Sequence, residues 1–399
     1  MMNNNIKRLV DIAEKDSRYI IGLMSGTSLD GLDVALCEIK GSGLDTKLNL
    51  KEFITTGYDA DLKKEIKEIF SKKIIDLQKL CLLNEWIGTK HATIVNDCLQ
   101  KWKIENKSID LIASHGQTIY HAPQHSHQQE KFGNATLQIG DGDHIAVGTG
   151  IITISDFRQK NIAAGGEGAP LAVYGDYLLF SKKGEERILL NIGGISNFTY
   201  LPGNLNTGEI FSTDIGPGNT IMDAFMQSHF PGEYFDEDAA IAKRGKVNTG
   251  LLTALKENDF FQLPFPRTTG PELFNLKYLQ DAKKRSATTE LSIEDTMSTL
   301  NKFSADMIVD AMQKCFAGKT GISIYCSGGG IHNPLLMEDL QKQLTDHSFY
   351  TTDALGINPD AKEAVLFSIL ANECICGDSS TFIGPGMQAI SMGKISFPS

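Results

Sequence analysis

Small polar residues and glycines are concentrated in one stretch near the start of the chain, IIGLMSGTSLDGLDV at residues 20–34. Its apolar beginning breaks at SGTS (25–28) and apolar alternation resumes at residues 32–39, a pattern that predicts strand, turn and strand. Glycines let a backbone approach a ligand closely, and successive amide N–H groups beside hydroxyls can bind an anion. Asp30 and Asp33 could hold a metal ion through water. An ordinary polar hairpin uses the same residue types, so this stretch alone leaves both interpretations open.

Three apolar segments in the first half of the chain end in polar, glycine-containing sequences. These sequences are SHGQT (114–118), GDGD (140–143) and SDFR (155–158). Open α/β sheets bind their ligands where strands end in this way. The three segments are therefore predicted to be neighbouring strands whose ends line one shared crevice.

The second half of the chain repeats this organisation. LNIGGISN (190–197) again predicts strand, glycine turn and strand, and a third strand at residues 209–212 leads into DIGPGN (214–219). A later strand at residues 322–325 leads into CSGGGIHN (326–333). Two halves that open with the same pattern predict a duplicated α/β architecture with a cleft between the halves.

Apolar residues at three- and four-residue spacing predict the helices. The predicted ranges are 6–15, 59–72, 74–103, 171–181, 220–229, 235–261, 291–316 and 360–374. The last of these follows Asn358-Pro359, a preferred helix start. His91 lies on the mostly apolar side of its helix and is predicted to be a core or edge residue, not a ligand. The glycine-rich segment at residues 163–169 is a candidate hinge.

Length and composition narrow the class of protein. A chain of 399 residues predicts two domains of about 200 residues each. The net charge of −11 argues against nucleic acid or an anionic membrane as the main partner. No stretch approaches the length of a membrane-spanning helix, and the N-terminal residues lack the apolar core of a secretory signal. The seven cysteines form no metal-binding pattern, which predicts buried, reduced thiols and a cytoplasmic protein.

Taken in order, these motifs resemble those of the anhydro-N-acetylmuramic acid kinase family, a branch of the actin, sugar kinase and Hsp70 superfamily. The resemblance extends over nearly the whole chain. It rests on GLMSGTSLDGLD (22–33), SHGQTIYH (114–121), SDFRQ (155–159), AAGGEGAPL (163–171), LNIGGISN (190–197), DIGPGN (214–219), TTGPELFN (268–275) and CSGGGIHN (326–333). It implies two actin-like α/β domains with a ribonuclease H-like fold and a cleft between them, one formed by residues 1–169 and 364–399 and the other by residues 170–363.

The resemblance also implies an ATP-dependent enzyme of bacterial cell-wall recycling. Such an enzyme opens the internal bridge of 1,6-anhydro-N-acetylmuramic acid with water and phosphorylates the freed O6, giving N-acetylmuramic acid 6-phosphate and ADP. ATP and Mg²⁺ are the implied cofactors, and an amino sugar is the implied substrate, with neither nucleic acid nor a membrane as a partner. The opening loop lacks the D-x-G-T order of the wider superfamily, so the Mg²⁺ ligands are left unassigned.

Site residues follow from the same resemblance. Asp214 is the implied catalytic base, although an aspartate between a strand and a helix could instead cap the helix. The implied ATP contacts are Gly26, Thr27, Ser28, Leu29, Asp30, Gly31, Leu32, Asp33, Gly193, Gly194, Asn197, Gly328, Gly329 and Gly330. The implied substrate contacts are His115, Gln117, Arg158 and Glu363.

Two positions depart from the family pattern. Asn161 stands where the family usually carries an acidic residue, and Pro271 stands where a basic residue is common. Two other functions stay open at this point. One is a simple sugar kinase of the same fold, in which Asp214 would deprotonate a sugar hydroxyl. The other is a nucleotide-gated binding protein like actin or Hsp70, and the oligomeric state is also open, with a homodimer among the alternatives.

Overall fold

The structure, a computed structural model, describes residues 2–26, 29–169, 171–356, 358–379 and 390–399. The strands are β1 (Ser17–Ser25), β2 (Gly31–Lys40), β3 (Lys47–Gly57), β4 (Leu111–Ala122), β5 (Ala135–Ile139), β6 (Ile152–Ser155), β7 (Arg187–Ile192), β8 (Ile195–Leu201), β9 (Phe211–Pro217), β10 (Ser323–Ser327), β11 (Ser348–Thr351) and β12 (Lys394–Ser396). The α-helices are α1 (Asn4–Ala13), α2 (Ala60–Lys67), α3 (Leu77–Trp102), α4 (Gln124–His127), α5 (Gly142–Thr149), α6 (Phe157–Ala163), α7 (Ala172–Phe180), α8 (Thr220–His229), α9 (Thr249–Lys256), α10 (Leu276–Arg285), α11 (Ile293–Phe316), α12 (Pro334–Gln343) and α13 (Lys362–Cys376).

The chain divides into two compact units. Unit 1 consists of residues 1–180 and 360–399, and unit 2 consists of residues 181–359. Unit 1 is therefore discontinuous in sequence, because all of unit 2 is inserted between α7 and α13.

The sheet of unit 1 has the order β12-β6-β4-β1-β2-β3 among the described strands, with β5 paired to β4. β1, β2 and β3 are antiparallel neighbours, whereas β4 is parallel to β1 and to β6. Apolar side chains of β1 such as Ile21 and Leu23 share a core with Ile87 of α3. Helix α13 also packs on β1, and at Gly22 a Cβ atom would lie 1.9 Å from the carbonyl oxygen of Ala364. Glycine at this strand position therefore lets the helix approach the sheet.

The sheet of unit 2 has the order β11-β10-β7-β8-β9 in the described part of the chain. β7, β8 and β9 are antiparallel neighbours, as β1, β2 and β3 are in unit 1, and β10 is parallel to β7 and to β11. Helix α11 is buried along most of its length, with Met297 and Phe303 in the main core of this unit. Five strands of each described sheet correspond in order and direction, β6-β4-β1-β2-β3 in unit 1 and β11-β10-β7-β8-β9 in unit 2, as in a ribonuclease H-like sheet, and unit 1 adds β5 and β12. This repetition confirms the predicted duplicated α/β fold.

The prediction that SHGQT forms a turn after a strand is wrong, because residues 114–118 lie inside β4. The first half of β4 pairs with β1 and β6, and its second half pairs antiparallel with β5. Gly116 has a φ of 75°, and a Cβ atom there would lie 2.7 Å from the carbonyl oxygen of Ile139. The strand continues through these polar residues since β5 takes over its hydrogen bonds.

Strand β9 also continues further than the sequence predicts. Asp214 lies within it, opposite Asn197 of β8, and the pairing extends to Pro217. Asp214 is therefore presented from a strand interior and does not cap α8.

The helix predicted at residues 235–261 is wrong over most of its length. The structure instead has 3-10 turns at Glu237–Ala239, Ala242–Arg244 and Asp259–Gln262, together with the short helix α9. At Gly245 a Cβ atom would lie 2.0 Å from the carbonyl oxygen of Glu294 in α11. Asn248 then caps α9 by accepting a hydrogen bond from the N–H of Leu251 (2.9 Å). This close backbone approach and the new cap interrupt the predicted helix.

Three further results concern smaller predictions. All seven cysteines are free thiols, as expected, but Cys81 is exposed where burial was predicted. The sequence did not predict α10, β11 or β12, and α2 ends at Lys67. None of the helices in the described ranges has both the length and the apolar character that crossing a membrane requires.

Candidate active site

The opening loop joins β1 to β2 in unit 1. Gly26 and Leu29 are described, whereas Thr27 and Ser28 lie outside the described residues. The N–H of Leu29 donates to the carbonyl oxygen of Gly26 (3.4 Å), and the Leu29 side chain lies in the core. Leu32, at the start of β2, is likewise fully buried. Leu29 and Leu32 can therefore offer only main-chain groups to a ligand.

The carboxylate of Asp33, which follows this loop, interacts electrostatically with other carboxylates of unit 1. Asp33 accepts a hydrogen bond from Oγ1 of Thr55 (2.6 Å). Burial raises the pKa of Asp33, the Thr55 hydroxyl lowers it, and the negative charges of Asp360 and Asp30 raise it. Gly31 has a packing role instead, since a Cβ atom there would lie 2.3 Å from a carbonyl oxygen of β3.

A buried hydrogen-bond network supports the start of the loop. The Ser25 hydroxyl donates to Oε1 of Gln117 (2.6 Å), whose Nε2 donates to the carbonyl oxygen of Gly26 (3.3 Å). The Tyr58 hydroxyl donates to Oγ of Ser25 (2.9 Å) and lies 2.8 Å from Nε2 of His91. Burial lowers the pKa of His91 to about 4, so its ring is neutral at pH 7. Gln117 thus fixes the end of β1, and His91 is a core residue as predicted.

Arg158, in the first turn of α6, is held by two protein groups. Its Nε donates to Nε2 of His115 (2.8 Å), and its Nη1 donates to the carbonyl oxygen of Gly168 (2.7 Å). Because His115 accepts at Nε2, its proton is on Nδ1, which donates to the carbonyl oxygen of Gly116 (2.8 Å). Burial, followed by the charge of Arg158, lowers the pKa of His115 to about 3. His115 is therefore a neutral acceptor that orients Arg158.

The remaining nitrogen of Arg158 is available for a ligand. Nη2 makes no hydrogen bond within the part of the chain that the structure describes. Burial lowers the pKa of Arg158, and the negative charge of Glu363 raises it. Desolvation raises the pKa of Glu363, and the charge of Arg158 counters that effect. Arg158 and Glu363, the latter in the first turn of α13, are thus electrostatically coupled.

Asn161 holds the loop that contains Gly168, whose carbonyl oxygen accepts from Arg158. Its Oδ1 accepts from the N–H of Gly168 (2.8 Å), and its Nδ2 donates to the Tyr174 hydroxyl (2.9 Å). An amide can donate and accept in this way, whereas an ionised carboxylate only accepts. The departure from the family pattern at this position therefore fits its local surroundings.

A cavity of about 310 Å³ lies where β4, β5 and β6 meet in unit 1. Residues from all three predicted strand ends line it, so these ends share one crevice as expected from the sequence. Oγ of Ser114 is buried in the floor and finds no hydrogen-bond partner among the described residues. Neither Gln117 nor Arg158 belongs to the lining. The lining residues are Leu80, Cys81, Asn84, Ser114, His115, Gly116, Leu137, Gln138, Ile139, Gly140, Asp141, Gly142, Ser155 and Asp156.

In unit 2, Asp214 is held by main-chain groups. Its Oδ2 accepts from the N–H of Thr269 (2.8 Å), and its own N–H donates to the carbonyl oxygen of Arg267 (2.9 Å). Its Oδ1 makes no hydrogen bond to any residue in the described ranges. Burial raises the pKa of Asp214, the Thr269 amide lowers it, the charge of Glu272 raises it, and the charge of Arg267 lowers it. Asp214 is therefore a fixed carboxylate with one free oxygen and increased basicity.

Two glycine turns lie side by side near Asp214, at the ends of the neighbouring strands β7 and β10. The carbonyl oxygens of Gly193 and Gly194 accept from the N–H groups of Asn219 (2.9 Å) and Thr220 (3.1 Å), which ties the first turn to the start of α8. The second turn packs under the first. At Gly328 and Gly330, Cβ atoms would lie 2.6 Å from Asn191 Oδ1 and 2.2 Å from Ile192 Cγ2, whereas at Gly329 the nearest atom, Nδ2 of Asn219, would lie at an ordinary contact distance of 3.9 Å. Packing thus requires two of these glycines and leaves Gly329 accessible.

Sequence reasoning missed the residues that fix the predicted site residues. Tyr58 and Thr55 carry no recognisable pattern, and Thr269 acts through its main-chain N–H, which every residue except proline has. Arg267 had one usable signal, the phenylalanines at residues 260, 261 and 265, because aromatic rings stabilise a buried guanidinium.

The carboxylates of the site decide whether it can hold the expected Mg²⁺ ion. Within the described ranges, no group of three or more His, Cys, Asp or Glu side chains is arranged to hold a metal ion. Kinase Mg²⁺ ions need only one or two carboxylates, since phosphates and water complete the shell. Asp30 and Asp33 are the carboxylates of this loop that could supply them; burial raises the pKa of Asp33, the negative charges of Asp360 and Asp30 add to this effect, and a bound cation would oppose it.

Comparison with known proteins decides the family. The family model described as anhydro-N-acetylmuramic acid kinase matches residues 18–386. The chain belongs to this family. Relatives named anhydro-N-acetylmuramic acid kinase include one from Pseudoalteromonas atlantica, 57% identical over 100% of both chains. Another, from Pseudoalteromonas translucida, is 54% identical over 99% of this chain and 100% of its own. A third, from Caldanaerobacter subterraneus, is 39% identical over 98% of this chain and 99% of its own.

Solved structures match at much lower similarity. A putative N-acetylmannosamine kinase from Listeria monocytogenes is 12% identical, with a TM-score of 0.36 over 89% of this chain and 98% of its own. A hexokinase from Schistosoma mansoni, complexed with glucose, is 9% identical, with a TM-score of 0.36 over 90% of this chain and 86% of its own. The assignment to the family rests on the sequence relatives and on the motifs, which lie inside the matched range.

Proposed function

We propose that this protein is an ATP-dependent anhydro-N-acetylmuramic acid kinase of peptidoglycan recycling. It opens the 1,6-anhydro bridge of its substrate with water and phosphorylates the freed O6, which gives N-acetylmuramic acid 6-phosphate and ADP. The observation that carries this proposal is family membership across residues 18–386, together with full-length relatives of that name, one of them 57% identical.

Asp214 is the general base for the attacking water. Its free Oδ1 takes a proton from the water while the water oxygen bonds to the anomeric carbon and the bond from that carbon to O6 breaks. Burial raises the pKa of Asp214, which makes the carboxylate a stronger base, and the Thr269 amide keeps it fixed and ionised. The released O6 then attacks the γ-phosphorus of ATP, and the bond to the leaving ADP oxygen breaks.

The glycine turns hold the nucleotide. Phosphoryl transfer depends mainly on positioning and on neutralising the charge of the phosphates. In unit 2, the turns at Gly193-Gly194 and Gly328–Gly330 supply main-chain groups for this task. The family resemblance gives the opening loop a phosphate-binding role as well. Asp30 and Asp33 would hold Mg²⁺, and a bound Mg²⁺ would supply neutralisation of the phosphate charge.

Arg158 binds the carboxylate of the lactyl group. Its Nη2 is free, while His115 and Gly168 fix the guanidinium plane. Arginine and a carboxylate form strong, directional hydrogen bonds. Glu363 lies close enough to Arg158 for their charges to interact, and it serves as a hydrogen-bond acceptor for sugar hydroxyls. We place the reaction in the cytoplasm, where ATP is available to a kinase.

The deciding experiment measures ADP production with Mg-ATP and 1,6-anhydro-N-acetylmuramic acid, beside N-acetylmuramic acid and glucose, together with the mass of each product. ADP that forms only with the anhydro sugar, and a product heavier by one phosphate and one water, is the expected result. A product heavier by phosphate alone, from a free sugar, would make the protein a simple sugar kinase. ADP formed without any sugar would instead indicate a nucleotide-gated binding protein.

A further inference from the structure

Arg267 is a buried cation in unit 2 to which the family resemblance gives no role. Its side chain is only 7% exposed, and it lies over the rings of Phe260 and Phe265, with its central carbon 4.5 Å and 5.1 Å from their centroids. No carboxylate lies within ion-pair distance of it in the described part of the chain. Burying a charge without a carboxylate in ion-pair contact has a desolvation cost that an apolar side chain would not have. Its presence therefore calls for a reason other than packing.

The guanidinium joins strand β9 to the segment at residues 260–269. Its Nε donates to the carbonyl oxygen of Asp214 (3.2 Å), and its Nη2 donates to that of Ile215 (3.1 Å). On the other side, its Nη1 donates to the carbonyl oxygen of Phe260 (2.9 Å). One planar group thus holds the backbone at Asp214 against the loop that carries Thr269.

The main chain of Arg267 also joins its loop to strand β9. Its N–H donates to Oγ1 of Thr213 (2.9 Å), and its carbonyl oxygen accepts from the N–H of Asp214 (2.9 Å). Two residues later, the N–H of Thr269 donates to the Asp214 carboxylate (2.8 Å). The distance from the Asp214 carboxylate to this amide therefore depends on how firmly the loop is held to β9.

We propose that Arg267 is the positioning residue for Asp214, which it serves by clamping β9 to the loop that donates the Thr269 amide and by placing a positive charge behind the carboxylate. The proposal rests on the role of Asp214 as base in the proposed function. Arg267 does not touch the reacting atoms and acts through Asp214.

The charge has a predictable consequence for catalysis. Burial raises the pKa of Asp214 and the charge of Glu272 adds to this effect, whereas the Thr269 amide and the charge of Arg267 lower it. Removing the guanidinium, and with it the fixed Thr269 amide, therefore raises this pKa. The acid limb of the kcat profile then moves to higher pH, since Asp214 must be ionised to accept a proton.

The test compares Arg267→Met, Arg267→Lys and the matched control Arg244→Met, which changes an exposed arginine of the same unit. In Arg267→Met we expect kcat with the anhydro sugar to fall about 100-fold, within the range that a positioned base contributes, with the acid limb at higher pH and KM for ATP unchanged. Arg267→Lys keeps the charge but not the planar fork, so we expect about a 10-fold loss with the acid limb near its wild-type position. Arg244→Met should match the wild type.

A double variant separates positioning from general structural support. Because Arg267 acts through Asp214, Asp214→Asn combined with Arg267→Met should be no slower than Asp214→Asn alone, within about 2-fold. Multiplied losses would overturn the proposal. So would a folded Arg267→Met protein whose kcat and acid limb both match the wild type, provided that Asp214→Asn is inactive. If Asp214→Asn keeps normal turnover, the base assignment of the proposed function fails, whatever Arg267 does.

A milder variant decides the case if Arg267→Met does not fold, as judged by circular dichroism and thermal unfolding. Thr213→Val removes the hydroxyl that accepts from the Arg267 N–H while keeping the side-chain shape. We expect about a 5-fold fall in kcat and a shift of the acid limb in the same direction. An unchanged kcat together with an unchanged acid limb in Thr213→Val would then overturn the proposal.

Discussion

Arg158 in unit 1 and Asp214 in unit 2 are both fixed charges, but different kinds of group fix them. Arg158 is oriented by the side chain of His115, along with one carbonyl oxygen. Asp214 is contacted directly by main-chain groups of a loop, the N–H of Thr269 and the carbonyl oxygen of Arg267, and the Arg267 guanidinium holds that loop to β9. A side-chain support depends on residue identity, whereas a main-chain support depends on the path of the loop. The two regions should therefore respond differently to substitution of the residues around them.

The largest expected effect comes from removing the base itself. In Asp214→Asn the shape is kept but no proton can be accepted, so kcat should fall by about 10³- to 10⁴-fold while ATP still binds. A coupled ADP assay or quenched-flow experiment measures kcat, and calorimetry measures ATP binding. Near-normal turnover would show that Asp214 is not the base, and the comparison of its support with that of Arg158 would then have no bearing on catalysis.

The next largest effect concerns the cation of unit 1. Arg158→Met leaves the lactyl carboxylate without its partner, so kcat/KM for the anhydro sugar should fall about 100-fold, with KM for ATP unchanged. A substrate analogue without the lactyl group provides the control, because the variant should handle it as well as the wild type does. Equal losses for both sugars would show that Arg158 does not bind the carboxylate.

A smaller effect is expected from the side-chain support of Arg158. His115→Phe keeps the packing against Phe367 but removes the acceptor for Nε, and kcat/KM for the sugar should fall about 10-fold. Steady-state kinetics with varied sugar concentration measure this loss. An unchanged kcat/KM would mean that the Gly168 carbonyl alone orients the guanidinium.

His115 also allows a test of how the free energy of unfolding depends on pH. Its pKa is lowered from an ordinary 6.5 to about 3 in the folded protein, so folding favours the neutral ring. This contribution is complete above pH 6.5 and is lost as the pH falls from there towards 3. Urea unfolding of the wild type and His115→Phe between pH 7 and 4 should show a weaker loss of stability in the variant. Parallel curves would contradict the assignment of a buried neutral ring.

The smallest effect is expected at Thr269. Thr269→Ala removes a side chain but keeps the N–H that holds Asp214, so kcat should fall by no more than about 2-fold. Set beside His115→Phe, this variant separates main-chain support from side-chain support in a single assay. A loss as large as that of His115→Phe would show that the Thr269 side chain also matters and would remove the contrast.

This contrast also explains what could be predicted from the sequence. Most strands of the two sheets follow from apolar patterns in the sequence, β11 and β12 being exceptions, and Asp214 and Arg158 stand within recognisable motifs. Residues 114–118 were misplaced because the pairing of β4 with β5 is a long-range contact that local pattern does not contain. The helix predicted at 235–261 failed for a similar reason, since the contact of Gly245 with α11 spans about 50 residues. The Thr269 amide could not be predicted at all, because a main-chain donor leaves no trace in residue type.

The discontinuity of unit 1 has a consequence for how the protein is made. Helix α13 packs on β1 through the glycine contact at Gly22, yet it is synthesised only after the whole of unit 2. At a translation rate of about 5–20 residues per second, the sheet of unit 1 waits roughly 10 to 40 seconds for its closing helix. During that interval the face of β1 that α13 covers is exposed on the nascent chain. Unit 2, which is contiguous, can finish folding first, and α13, which is synthesised after unit 2, completes the sheet that was synthesised before it.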